Sequence, residues 1–276
     1  MRAIARVLAD AAARLADVSD SPRLDAELLL ANALGVSRAR LLAMTRDHVD
    51  ESSFQPLLER RLAAEPVAYI LGRRAFFAHD FIVRPPILVP RPETEHLVEL
   101  ALQRIAGGKL RILDLCTGSG CIAVSIATHA PGSTVVATDR NPDAIALARE
   151  NAAEHGGEVA FYQGDLFDAL PENTPPFDII VSNPPYVESG EWEQLTPDIQ
   201  RYEDPAALLA GEDGLDLIRR IVPDSRRWLN PGGLLAIEIG ERQYSPAARI
   251  LEQSGFTDIA PKHDLAGIRR IIHGTK

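Results

Sequence analysis

From Arg91 onward the chain repeats short apolar runs separated by helical patterns, and this alternation constrains the fold more than any other feature. The runs are Arg111 to Leu115, Thr134 to Thr138, Val159 to Tyr162, Phe177 to Val181, Leu234 to Glu238, a weaker one at Phe256 to Ile259, and Arg269 to Ile272. Strands alternating with helices imply a mostly parallel sheet covered on both faces. Such sheets place their chemistry at the carboxyl ends of the strands, so the residues just after each run are the first candidates for function.

The first 75 residues follow a different rule. Apolar residues recur at helical spacing in Ile4, Val7, Leu8, Ala11 and Leu15, then in Leu24, Leu28, Ala31 and Leu34, then in Leu57, Leu58 and Leu62, with no convincing strand. The expected organisation is a small helical bundle over 1–75, a β-hairpin linker with edge-strand character over 76–90, and an α/β domain over 91–276. The bundle carries no obvious chemical group, so its expected task is to recognise a partner, with a purely structural cap as the alternative.

Charge and cysteine content narrow the classes. The net charge is −10, and the first 75 residues are nearly balanced, with 11 Arg against 10 Asp and Glu, so the acidic surplus falls on the rest. That argues against a protein that grips a long phosphate backbone, and no direct nucleic-acid binding is expected. No apolar run approaches a membrane span, and the N-terminal segment reads as an amphipathic helix, so the expected location is the cytoplasm. Cys116 and Cys121 suit neither a disulfide framework nor a metal site, and no metal is expected. A monomer is the default for a chain with no coiled-coil pattern.

Four strand ends carry motifs. After the first run come Cys116, Thr117, Gly118, Ser119 and Gly120, a glycine-containing turn that with Ala123 formally matches a dinucleotide fingerprint. Asp139 ends the second run, where a carboxylate can accept from ribose hydroxyls, or can instead cap the helix beginning near Asn141. Asp165 and Leu166 follow the third run, where an adenine ring would meet an acceptor and an apolar wall, although a surface turn would read the same way. After the fourth run comes Asn183-Pro184-Pro185-Tyr186. The prolines stiffen it and remove two backbone donors, leaving the Asn183 side-chain oxygen and the Pro184 carbonyl as acceptors beside an aromatic face. This suits a planar NH2 group, which has two hydrogens to offer and a delocalised lone pair. Acceptors on both hydrogens favour the partly positive nitrogen that develops as a methyl group arrives. A nicotinamide oxidoreductase would share the fingerprint but has no use for the fourth motif.

The chain resembles the HemK-type glutamine methyltransferases over nearly its whole length. The resemblance rests on Glu65 to Gly72, Leu88 to Glu95, the four strand-end motifs, Tyr202 to Pro205, Gly211 to Asp216, and Asp264 to Gly267. It implies a seven-stranded Rossmann-like S-adenosylmethionine-dependent methyltransferase domain preceded by a helical domain. It further implies methylation of the glutamine amide in the Gly-Gly-Gln motif of class I peptide chain release factors, with S-adenosylhomocysteine as product. By resemblance, Asn183, Pro184 and Tyr186 carry the catalysis. The loop from Cys116 to Gly120, with Asp139, Asp165, Leu166 and Asn183, holds the donor, and Arg91, Glu93, Glu95 and Pro185 complete the substrate pocket. Glu93 and Glu95 also read as first-turn helix acids. Because nucleic-acid amino-methyltransferases share the Asn-Pro-Pro-Tyr motif, it fixes reaction type only, and the helical domain with the Arg-Pro-Glu-Thr-Glu segment narrows the substrate. Cys116 departs from the family, which has glycine there, and is expected to avoid a backbone angle reserved for glycine. Ile268-Arg269-Arg270 also departs from the commoner ending.

Overall fold

A computed structural model describes residues 1–276. Contacts divide the chain into two compact units, one of residues 1–73 with 195–203 and one of residues 74–194 with 204–276.

The first unit is helical, with helices at Ile4–Leu15, Pro22–Ala33, Arg38–Ala43, Gln55–Leu62, Val67–Leu71 and Pro197–Tyr202. The expected apolar stripe Ile4, Val7, Leu8, Ala11 and Leu15 is buried in its core with Leu29, Leu30 and Phe54. Pro22 opens its helix where a missing N–H costs nothing, and the Ser37 hydroxyl accepts from Arg40 N to cap the next one. Two-residue strands, Arg2–Ala3 and His48–Val49, pair antiparallel, a contact too short to leave a sequence pattern.

In the second unit a hairpin of Arg73–Phe76 and His79–Ile82 comes first. It lies earlier and ends sooner than the expected 76–90, because Pro85 and Pro86 cannot donate to a ladder. The sheet strands are β1 (Arg111–Leu115), β2 (Thr134–Asp139), β3 (Val159–Gln163), β4 (Phe177–Ser182), β5 (Leu229–Glu238), β6 (Thr257–His263) and β7 (Arg269–Thr275). Their spatial order is β6-β7-β5-β4-β1-β2-β3, with β1 to β5 parallel and β7 the one reversed strand, antiparallel to both β5 and β6. This is the Rossmann-like methyltransferase fold. Strands β5, β6 and β7 extend beyond the apolar runs because pairing with neighbours, not hydrophobicity, carries their ends.

Alternation along the strands sorts side chains to two faces. Ile112, Val135, Ile179, Val181 and Ala236 pack with helices α1 (Glu95–Ile105), α2 (Cys121–His129) and α3 (Pro142–His155). Leu113, Leu115, Val136, Ile180, Leu235 and Ile237 pack with α4 (Asp216–Trp228) and α5 (Tyr244–Gln253). The strand order reverses at β1, between β2 and β4, so the carboxyl ends of these strands open a crevice. No helix is long and apolar enough to cross a membrane.

Candidate active site

The loop leaving β1 is shaped by three left-handed residues, Cys116 at φ +60°, Gly118 at +55° and Gly120 at +82°. Cys116 therefore occupies the backbone region it was expected to avoid. The loop is tied on both sides, so the cost of a side chain there, about 1–2 kcal/mol, is absorbed by the surrounding bonds. Thr117 N donates to Thr138 O at 3.1 Å, and Gly118 N donates to Asp139 Oδ2 at 2.9 Å. Asp139 Oδ1 accepts from Asn141 N at 2.9 Å, while the helix itself is capped by Asn141.

Cys116, Gly118, Asp139, Asp165, Leu166, Asn183 and Pro185 line one cleft of about 830 Å³ including its open mouth, together with Ile87, Arg140 and Leu217. Leu166, at φ +49°, is a second strained residue on its wall. Burial raises the Asp139 carboxyl despite hydrogen bonds from Asn141 and Gly118. Asp165 also pairs with Arg220 at 2.6 Å. Burial beside Asp139 and Asp114 raises the Cys116 thiol, which keeps it protonated.

Three loop residues expected to touch the donor do not line this cleft; they build the loop. Thr117 is buried and its hydroxyl donates to Asp114 Oδ2 at 2.6 Å. Ser119 is buried, with its carbonyl accepting from Asn151 Nδ2 at 2.9 Å. Gly120 lies so close to α3 that an added Cβ would stand 2.9 Å from the Ala148 Cβ.

Beyond β4, Ser182 Oγ donates to Leu115 O at 2.8 Å, fixing the start of the Asn-Pro-Pro-Tyr arm. Its other end is held by Gln243, whose Nε2 donates to Tyr186 O at 2.8 Å and to Asp213 O at 3.2 Å. Gly214 packs so tightly there that a Cβ would stand 2.2 Å from Tyr186 O. A second, smaller cavity is lined by Arg91, Asn183, Pro184, Pro185, Tyr186 and Val187. Asn183 lines both cavities.

Behind Asn183 lies a buried polar chain. Asn183 Nδ2 donates to Thr94 Oγ1 at 3.1 Å, Thr94 Oγ1 donates to Glu238 Oε2 at 2.7 Å, and Tyr186 Oη donates to Glu238 Oε1 at 3.3 Å. Burial raises the Glu238 carboxyl to about 7, with the hydrogen bonds from Thr94 and Tyr186 opposing the rise. Burial and the nearby Glu238 charge raise the Tyr186 hydroxyl, so it stays protonated.

Of the acidic pair in the Arg-Pro-Glu-Thr-Glu segment, Glu93 acts on Glu238 through its charge and lines neither cavity. Glu95 is a correction to the expected pocket. Its Oε1 accepts from Phe77 N at 3.0 Å, satisfying a hairpin turn whose Phe77 has φ +54°. Thr94 lies inside the Arg91-to-Glu95 segment expected at the pocket, but its sequence neighbours give no sign of its bond to Asn183; Glu238, which ends an apolar run just as Asp139 does, carries no expected role in the sequence.

Comparison with known proteins bears on this arrangement. Residues 6–72 match the PrmC N-terminal domain and residues 93–199 the methyltransferase small domain. A T. thermophilus 16S rRNA N2 methyltransferase, solved with AdoMet and guanosine, shares the fold at TM-score 0.55 and 20% identity, over 74% of this chain and 49% of that one. The release factor glutamine methyltransferase of Geobacter sulfurreducens is 41% identical over 92% of this chain and 90% of its own length. That of Bordetella pertussis is 43% identical over 92% of this chain and 94% of its own. With both domain matches in order and full-length relatives at this identity, the chain belongs to the release factor glutamine methyltransferase family.

Proposed function

We propose that this enzyme transfers the methyl group of S-adenosylmethionine to the side-chain amide nitrogen of the glutamine in the Gly-Gly-Gln motif of a class I peptide chain release factor. The observation that carries this reading is that Asn183 is the one polar side chain among the four residues that line both cavities, with Leu88, Pro185 and Ala207, so a donor in one and an amide in the other would meet at its amide group.

The residues of the larger cleft fit the donor. Gly118 exposes backbone with open space where a Cβ would stand, Asp139 offers a carboxylate to ribose hydroxyls, and Asp165 with Leu166 offers an acceptor and an apolar wall to an adenine. When bound, this donor supplies an electrophilic methyl on a sulfonium sulfur. The work of the chain is alignment and acceptor electrostatics. Asn183 Oδ1 and the Pro184 carbonyl accept the two amide hydrogens, orienting the nitrogen and stabilising the positive charge it gains. The Tyr186 ring packs against the amide, and Arg91 borders the same cavity. No base is needed beforehand, because the nitrogen becomes acidic only as the new bond forms. The helical unit is proposed to recognise the release factor.

The test is transfer of labelled methyl from S-adenosylmethionine to a purified class I release factor, with a glutamine-to-alanine motif variant and a DNA duplex as controls. Label is expected in the intact factor alone. Asn183→Ala should lower turnover on the order of 100-fold to 1,000-fold with donor binding nearly intact, whereas Asp139→Ala should weaken donor binding. Near-normal turnover by Asn183→Ala would overturn the assignment, and label in DNA would move the substrate to a nucleobase amine.

A further inference from the structure

Thr94 and Glu238 lie behind Asn183 and take no part in the chemistry above, yet the chain they form with it has a direction. Thr94 and Glu238 are each 2% exposed, so both must find partners inside the protein. Above about pH 7 Glu238 is ionised and its oxygens only accept, so Glu238 Oε2, 2.7 Å from Thr94 Oγ1, draws the single hydroxyl proton of Thr94 toward itself. The lone pairs of Thr94 Oγ1 are then left facing Asn183. Only the NH2 end of the Asn183 amide can meet them at 3.1 Å, because the reversed amide would set oxygen against oxygen. The far side of Glu238 is held by Tyr186 Oη at 3.3 Å, and the other charged groups acting on it are Glu93 and Arg270.

We infer that Thr94 and Glu238 are positioning residues: they fix which end of the Asn183 amide faces the cavity, so that an acceptor and not a second NH2 group greets the substrate. This rests on the reading of Asn183 Oδ1 as acceptor for the amide. Supporting partners behind reacting or ligating groups are worth on the order of 10-fold to 100-fold in activity when removed. What the relay needs is an acceptor at each link, not a charge. Gln at 238 can accept from Thr94 through its oxygen and donate to Tyr186 through its nitrogen, whereas Met at 238 offers Thr94 only a weak thioether acceptor.

The experiment compares Thr94→Val with Thr94→Ser, and Glu238→Met with Glu238→Gln, in the full chain at pH 8. Each is assayed for kcat and KM with a class I release factor, for donor affinity, and by NMR of the Asn183 side-chain NH2 resonances, assigned by their loss in Asn183→Ala. Thr94→Val and Glu238→Met should lose about 10-fold to 100-fold in kcat with KM and donor affinity little changed, while Thr94→Ser and Glu238→Gln stay near wild type. The Asn183 NH2 resonances should shift and lose exchange protection in Thr94→Val and keep both in Thr94→Ser. The inference is overturned if Thr94→Val keeps its kcat, if the conservative variants fail as badly as the disruptive ones, or if the Asn183 resonances are the same in Thr94→Val. Should the unaltered protein transfer no methyl to the factor, the substrate reading fails, and the NMR comparison still decides the relay.

Discussion

The two units treat their buried carboxylates in opposite ways. In the helical unit Asp25 is bonded by Arg61 at 2.8 Å, and Glu27 by Arg23 and Arg38 at 2.6 and 2.8 Å. Burial pushes the Glu27 carboxyl up, but the two arginines outweigh it and hold it below its usual range. In the catalytic unit Asp114, bonded by the Thr117 hydroxyl and the Ala123 backbone N–H, and Glu238, bonded by the Thr94 and Tyr186 hydroxyls, are buried with no arginine bonded to either, and burial lifts both to about 7. Paired carboxylates hold helices together. Carboxylates bonded only by neutral donors cost stability and are placed where their acceptor atoms shape a site.

The sharpest test of this contrast is Arg61→Ala. It leaves Asp25 buried without its cation and should cost about 3–5 kcal/mol, read as a lower denaturation midpoint of the helical unit. A loss below about 1 kcal/mol would show that the buried pair is not what holds that unit.

Next in size is Glu238→Gln, which should do the reverse. Because the folded-state carboxyl is raised from 4.5 to about 7, its stabilising contribution is full below pH 4.5 and is lost as pH rises through 7. The Gln variant has no such loss, so it should exceed the unaltered protein by on the order of 2–3 kcal/mol at pH 8, with the advantage shrinking toward pH 5. Equal stability at pH 8 would mean that Glu238 is not held at a cost. Asp114, raised from 3.8 to about 7, follows the same sign.

A smaller effect is expected at Cys116→Gly, which removes a side chain from φ +60° and should gain about 0.5–1 kcal/mol after the extra freedom of glycine in the unfolded chain is counted. Unchanged or lower stability would mean that the left-handed cysteine carries no net strain. Smallest of all is Arg14→Ala. Its partner Glu59 lies 2.6 Å away, but the two side chains are 44% and 62% exposed, so the loss should stay under about 0.5 kcal/mol. A loss matching that of Arg61→Ala would break the idea that burial decides the value of these pairs.

What could be read from sequence follows the same division. The apolar runs and the residues immediately after them were legible because each strand end announces itself locally, and Asp139, Leu166 and Asn183 all reach the crevice. What failed depended on neighbours distant in sequence. Glu238 matters because β5 lies beside β4 in the sheet, with Ser182 opposite Ile237, and no spacing along the chain encodes that. Glu95 looked like a pocket acid until the hairpin placed Phe77 N against it. Thr117, Ser119 and Gly120 belong to a motif that suggests ligand contact, yet their surroundings, Asp114, Asn151 and Ala148, turn them to holding the loop. The backbone angle of Cys116 was misread because allowed regions were weighed for one residue alone, without the ties that fix the loop around it.

The Asn-Pro-Pro-Tyr arm is bonded through Ser182, Asn183 and Tyr186, with two proline rings between. Its freedom is therefore given up when the protein folds and not when a substrate arrives. A flexible loop entering the cleft must bring nearly all of the ordering entropy of the encounter itself. Calorimetry on a series of substrate loops of increasing stiffness should accordingly show affinity rising through a smaller entropic penalty, at nearly constant enthalpy.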